Sequence, residues 1–234
     1  MQTATTLAEY QNLTGRERRL SYLPERLATA YPIRESGEAL VTLQDAGHEA
    51  GIELALAPIA PGLGVEDLKL RKEAAKRLVA AARELPEGIR FKIVEAYRPL
   101  AIQRQYFAEV SAEIARDEGL SGEALWERVT EFVADPALCP PHTTGGALDC
   151  TLVDVNGVEL DMGSPLNAVD DRSYTDAPEL SAEARKNRDL LCDTLLAAGF
   201  VNLPTEWWHY SYGDQYWAAF TRVPAALYGS LETG

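Results

Sequence analysis

Cysteine is scarce in this chain. Three thiols (Cys139, Cys150 and Cys192) among 234 residues are too few, and too odd in number, for a disulfide scaffold. They fit a reducing compartment, the cytoplasm. Histidine is as rare, at three. No apolar run approaches the ~18 residues of a membrane helix, so no membrane span is expected. The opening MQTATTLAEYQNLTG lacks the basic and apolar regions of a secretory signal. Basic residues are in deficit: 22 Lys and Arg face 36 Asp and Glu, for a net charge of −14. Such a surface repels a phosphate backbone, which argues against nucleic acid as a partner. The chain also lacks internal repeats, low-complexity tracts, a dividing linker, a glycine-rich phosphate loop and a Gly-x-Ser-x-Gly nucleophile turn.

Hydrophobic residues make up 46 % of the chain and charged residues 25 %, as in a soluble globular protein. A single domain over 1–234 is expected. Residues 1–35 form an arm of uncertain structure, with only a hint of a helical turn at Leu7, Tyr10 and Leu13. Residues 39–57 suit two short strands around Gly47–Gly51. Leu68, Ala75, Leu78, Val79, Ala82 and Leu85 predict a helix over about 65–85, stopped by Pro86-Glu87-Gly88. Ile89, Phe91 and Ile93 alternate as a strand ending at Tyr97-Arg98-Pro99. Pro99 opens a helix through Ile102, Tyr106, Val110 and Ile114. Ser121 caps another, carrying Leu125, Val129 and Phe132.

Residues 147–153 read as a strand, and 154–178 as a hairpin or loop. Ser181 starts a helix through Leu191, Leu195 and Ala198, with Gly199 as its C-terminal cap. Phe200-Val201, Trp207–Tyr212 and Tyr216–Val223 read as strands, with a turn at Gly213-Asp214. Helices and strands mix without βαβ alternation, which predicts an α+β fold.

His142 lies in PPHTTGGALD, seven residues before Asp149, and His209 lies in TEWWHY, three residues after Glu206. Two imidazoles and a carboxylate suit zinc, which in catalytic sites keeps three protein ligands and a water. On one flat strand His142 and Asp149 would face opposite ways. Gly145-Gly146 lets the chain turn so that both converge. If 207–212 is a strand, Glu206 falls on the face opposite His209, so the chain must bend there, aided by Pro204. Glu206 then reaches the acidified water and acts as general base and acid. Arg98, at a strand end, could hold an oxyanion, while Glu95 could simply pair with it.

Other readings stand beside these. Trp207 and Trp208 suit core packing as well as a substrate platform. His48 suits a solvent-exposed surface position. Cys139, Cys150, His142 and His209 could instead build a closed structural zinc centre in a non-catalytic binding protein.

Four segments in this order, EAYRP (95–99), HTTGGALDCTLVD (142–154), DMGSPLN (161–167) and GF…EWWHY (199–210), resemble the zinc D-alanyl-D-alanine dipeptidases. The resemblance covers roughly residues 85–215. It implies one Zn2+ per chain on His142, Asp149 and His209, Glu206 as general base and acid, and Arg98 steadying the tetrahedral intermediate. It implies a small mixed domain with zinc at the edge of a central, mainly antiparallel sheet flanked by helices. The implied substrate is a small D,D-dipeptide, D-Ala-D-Ala, hydrolysed in the cytoplasm. The alternative is a D,D-carboxypeptidase or other peptidoglycan peptidase of the same superfamily. Two positions bordering the substrate depart from the family pattern. Pro140 stands where members carry serine, and Asn167 where they carry an acid, which Asp170 or Asp171 could replace. Asn167 and Trp208 are the candidate substrate contacts.

Overall fold

The computed structural model describes residues 2–14, 17–18, 20–130, 133–168 and 170–231. Its strands are β1 (Gln2–Thr3), β2 (Ser21–Tyr22), β3 (Leu40–Thr42), β4 (Ala55–Leu56), β5 (Lys69–Arg71), β6 (Arg90–Glu95), β7 (Ala147–Val153), β8 (Val201–Asn202) and β9 (His209–Ser211). Its helices are α1 (Leu7–Asn12), α2 (Glu25–Ala28), α3 (Leu43–Ala50), α4 (Lys72–Ala82), α5 (Leu100–Glu118), α6 (Gly122–Val129), α7 (Ala182–Ala197) and α8 (Gln215–Thr221).

The central sheet has the order β4-β6-β7-β9-β8. Only β4 and β6 run parallel; every other pair is antiparallel. This is the mixed α+β, mainly antiparallel arrangement expected. β7 is the middle strand, and all seven of its residues are buried. Covered on both faces, it is continuous in apolar character except where Asp149 and Thr151 interrupt it. Phe91 and Ile93 of β6 pair with Leu152 and Cys150. The register then shifts between Ile93 and Glu95, bringing Glu95 opposite Asp149.

Several expected elements differ. Residues 39–57 hold β3 and β4, but α3 lies between them. The Thr42 hydroxyl accepts from the Asp45 N–H, and Gly51 closes the helix at φ 65°. The helix expected over 65–85 is α4 alone, because 65–67 is a 3₁₀ turn and β5 pairs with β3. Tyr216–Val223 is not a strand. Asp214 accepts from the Trp217 N–H and caps α8, so a local cap and Ala218-Ala219 outweigh the aromatic β-preference. Phe132, expected on the helix after Ser121, lies outside the described residues.

The described residues of the 1–35 segment are tied to the rest of the fold, which their pattern did not promise. Tyr10 packs against Tyr216 of α8, with ring centroids 6.5 Å apart. The Gln215 amide donates to the Thr29 and Tyr31 carbonyls. Arg188 of α7, 1 % exposed, donates to the carbonyls of Met162, Arg172 and Tyr174 and to the Ser164 hydroxyl. These bonds fasten the 161–174 loop against the core.

Candidate active site

His142 sits in a 3₁₀ turn, Pro141–Thr144, that ends on Gly145 at φ 73°. Glycine adopts that left-handed geometry without penalty. At Gly146 a Cβ would collide with the Tyr212 carbonyl, and the Tyr212 N–H donates to the Gly146 carbonyl at 2.9 Å. The glycine pair thus turns the chain from His142 into β7 and seats it against the segment after β9. Asp149 of β7 then lies directly across the ladder from His209 of β9.

The three side chains converge at the end of the sheet where β7 begins. One ligand atom from each of His142, Asp149 and His209 lies within 4.8 Å of the others. The residues are 7 %, 5 % and 5 % exposed, so water screens the group little. Asp149 Oδ1 is 3.3 Å from His142 Nε2 and 3.0 Å from His209 Nδ1. His142 Nδ1 donates to the Ala96 carbonyl at 2.8 Å. A carbonyl only accepts, so the proton sits on Nδ1 and Nε2 keeps its lone pair toward Asp149. The two rings therefore present different nitrogens, Nε2 from His142 and Nδ1 from His209.

Burial opposes the charge on Asp149, but the two imidazoles outweigh it and hold its carboxyl well below the usual range. Burial likewise opposes charge on His209, and its hydrogen bond to Asp149 prevails, pushing it up. An anionic oxygen between two nitrogen donors could hold a divalent metal ion.

Glu206 lies in the turns before β9. Its N–H donates to the Leu203 carbonyl, and its own carbonyl accepts from His209 N–H. The expected strand from Trp207 begins only at His209, because these turns use the backbone groups a ladder would need. Asn202 clamps the bend by donating to the carbonyls of both Glu206 and His209. The Glu206 side chain is 37 % exposed, with Oε2 3.9 Å from His209 Nδ1. Burial pushes its carboxyl up, a shift that His209, His142 and Arg98 partly offset.

Arg98 follows β6. Its Nε and Nη2 form a bidentate pair with Glu95 at 2.7 and 2.6 Å, and Nη1 donates to Gln103 Oε1 at 2.7 Å. Gln103 is buried on α5 and donates onward to the Ala134 carbonyl. Three of the five guanidinium N–H groups are thereby committed. Burial disfavours the Arg98 charge, but the Glu95 bonds hold its pKa above the ordinary value. Its charge is felt at Asp149 and at Glu206.

Asn167 is exposed in the 161–178 loop, at φ 59°. Trp208 is 2 % exposed and stands edge-on to Trp207 within the core. Asp170 is engaged by Arg172. His48 is exposed. No disulfide joins Cys139, Cys150 and Cys192, and neither Cys139 nor Cys150 joins the His-Asp-His cluster among the described residues. Cys150 follows Asp149 on a strand and faces away from it.

The family model described as D-Ala-D-Ala dipeptidase matches residues 67–225. The chain belongs to this family. A D-alanyl-D-alanine dipeptidase of Synechocystis sp. is 33 % identical over 216 residues, covering 81 % of this chain and 87 % of that one. A second, from Escherichia coli, is 30 % identical over 125 residues, covering 53 % and 55 %. Among solved structures, that of the LD-carboxypeptidase LdcB superposes with a TM-score of 0.43 at 20 % identity, covering 94 % of this chain and 83 % of that one. As a D-Ala-D-Ala dipeptidase family member the protein is a metallopeptidase, and His142, Asp149 and His209 offer the donor set that such an enzyme needs. Sequence reasoning passed over Ala96, Gln103, Ser211 and Asp214. Ala96 contributes only a main-chain atom. Gln103, Ser211 and Asp214 were passed over because their partners are set by the fold.

Proposed function

We propose that the protein is a zinc-dependent dipeptidase that hydrolyses D-Ala-D-Ala, with the whole chain acting as one catalytic domain. The observation that carries this reading is the convergence of His142 Nε2 and His209 Nδ1 on the Asp149 carboxylate, with Glu206 beside them on an accessible rim. Two nitrogens and a carboxylate oxygen match a catalytic zinc set, one ion per chain. Bound there, zinc would polarise the scissile carbonyl and acidify a water.

The chain's own residues supply the rest. Glu206 takes the proton from the attacking water and delivers it to the leaving amine. Its desolvation suits both roles, because a carboxylate with a raised pKa is a stronger base. Arg98 uses its two uncommitted N–H groups to stabilise the carbonyl oxygen as it becomes an oxyanion. Glu95 and Gln103 keep the guanidinium from rotating away. Asn167, on the exposed loop that Arg188 fastens, borders the substrate. Three cysteines without a disulfide between them suit a reducing, cytoplasmic setting.

Metal analysis combined with a substrate panel tests this reading. One zinc per chain and cleavage of D-Ala-D-Ala are expected, with little turnover of L-Ala-L-Ala or N-acyl-D-Ala-D-Ala. Preference for the N-acylated or longer stem peptides would make the protein a D,D-carboxypeptidase instead. Glu206→Ala should keep its metal and lose turnover; near-normal rates would remove Glu206 from the mechanism.

A further inference from the structure

Asp149 and His209 stand on paired strands, but His142 stands on a turn. Its place therefore depends on what holds that turn. Each carbonyl from residue 142 to 145 has its own donor. That of His142 accepts from the Arg98 N–H at 3.1 Å, that of Thr143 from the Leu231 N–H at 2.9 Å, and that of Gly145 from the Arg71 N–H at 2.8 Å. The Thr144 carbonyl accepts from Arg71 Nε at 2.8 Å. Three of these donors belong to β5 and to the segment just after β6. The fourth comes from a stretch beyond α8 that neither the sheet nor the helices include.

Ser230, its neighbour, reaches the same turn. Thr143 is fully buried, and its hydroxyl lies 2.7 Å from the Pro140 carbonyl and 2.6 Å from the Ser230 hydroxyl. A carbonyl only accepts, so Thr143 gives its one proton to Pro140 and Ser230 must donate to Thr143. The Ser230 N–H donates to Cys139 Sγ at 3.2 Å. Gly229 roots the stretch. Its N–H donates to Glu35 at 2.7 Å and its carbonyl accepts from Arg71. Arg71 is 1 % exposed and stacks on Tyr228 at 5.1 Å. The root of the stretch and the turn beneath it thus hang on one buried guanidinium.

We propose that Ser230 and Leu231 are positioning residues, with Gly229–Leu231 forming a strap across the Pro140–Gly145 turn that fixes where His142 stands relative to Asp149 and His209. The proposal rests on the metal-centre reading above. A 3₁₀ turn has poor hydrogen bonds of its own, and here the bond from the Gly145 N–H to the His142 carbonyl is 3.3 Å long. A ligand must hold its place to within about 0.5 Å. The strap supplies from outside the stiffness that the turn lacks.

The test compares variants that remove the strap's two donors with variants that keep them. Leu231→Pro removes the N–H and Leu231→Ala keeps it; Ser230→Ala removes the hydroxyl and Ser230→Thr keeps it. The readouts are the zinc dissociation constant, by competition with a chromophoric chelator, the visible spectrum of the cobalt-loaded protein, and the denaturation midpoint of the metal-free chain. Ser230→Ala combined with Leu231→Pro should weaken zinc binding about 10–100-fold, the usual cost of removing a ligand's outer support, and should shift the cobalt bands. Leu231→Ala and Ser230→Thr should bind zinc as the parent does.

A role in packing alone predicts that Leu231→Ala costs as much as Leu231→Pro, that the midpoint falls, and that the folded chain keeps its zinc affinity and cobalt spectrum. That pattern, or a loss under tenfold in the double variant, overturns the strap. If the double variant does not fold, Ser230→Ala against Ser230→Thr decides. The first should bind zinc about 2–10-fold more weakly, the worth of one hydrogen bond, and equal affinities overturn the proposal. If the parent chain itself holds no zinc, the metal-centre reading fails; if the parent binds and the strap variants bind equally, only the strap fails.

Discussion

The two halves of the site are built differently. His142, Asp149 and His209 are buried and tied to the central sheet, Asp149 and His209 by direct cross-strand pairing and His142 through a carbonyl of the segment after β6. Glu206 and Asn167 stand on turns and loops, the first 37 % exposed and the second exposed. The donor set is held by the ladder that also holds the core, so its geometry is as stiff as the fold. The rim is held by a few side-chain clamps, Asn202 under Glu206 and Arg188 under the 161–174 loop. In the roles proposed for them, proton transfer and bordering the substrate, Glu206 and Asn167 need access to solvent and peptide, which a buried strand would deny. Damage to the strand half should therefore cost metal and catalysis together, while damage to the rim should cost turnover or affinity with metal retained.

Asp149→Ala should have the largest effect. It removes the anion between two imidazoles, and zinc content and turnover should both fall to background by elemental analysis and dipeptide assay. Retained zinc would break the comparison at its root. Glu206→Gln comes next: turnover should fall by ~10²–10⁴ at unchanged zinc content.

The pH profile sharpens the same point. Glu206 must be ionised to accept a proton, and burial raises its pKa above the ordinary 4.5. The rate should fall as pH drops through that raised value, so the acid limb should lie above the usual carboxylate range. Arg98 lowers the Glu206 pKa, so Arg98→Ala should move the limb to still higher pH. A limb that stays put would separate Arg98 from Glu206.

Gly146→Ala probes the strand half through packing. Its methyl meets the Tyr212 carbonyl, and overpacking of this kind costs about 1–3 kcal/mol. Zinc affinity should fall along with the denaturation midpoint. Arg188→Met probes the rim. It strips donors from three carbonyls and a hydroxyl, each worth about 1–3 kcal/mol if left buried and unpaired. Limited proteolysis should cut within 161–174, and KM should rise more than kcat falls, with zinc retained. The smallest effect belongs to Asn167→Asp. Aspartate tolerates the left-handed backbone as asparagine does, so stability should stay within about 0.5 kcal/mol while KM for a dipeptide with a free amine changes.

Segments whose character is local were legible in the chain. The apolar run 147–153 became β7, Ser181 capped α7 through the Ala184 N–H, and Gly199 adopted φ 91° as its C-terminal cap. The glycine pair after His142 turned the chain as its composition required. Segments decided by competition were not legible. Tyr216–Val223 has the aromatic content of a strand, yet Asp214 made it a helix. The partners of Arg98 and His209 come from positions whose side chains carry no signal of their own, such as Gln103 on α5 and Ser211 on β9.

The sequence by itself determined which residues are available to bind a cation and move a proton, because imidazoles are so few and each stands among carboxylates, tryptophans or glycines in an unusual pattern. Only the tertiary structure decided which ring nitrogen each histidine presents and which guanidinium donors stay free. Those are properties of cross-strand register and of hydrogen bonds between distant segments, and register is settled by the packing of the whole sheet rather than by any stretch of neighbours along the chain.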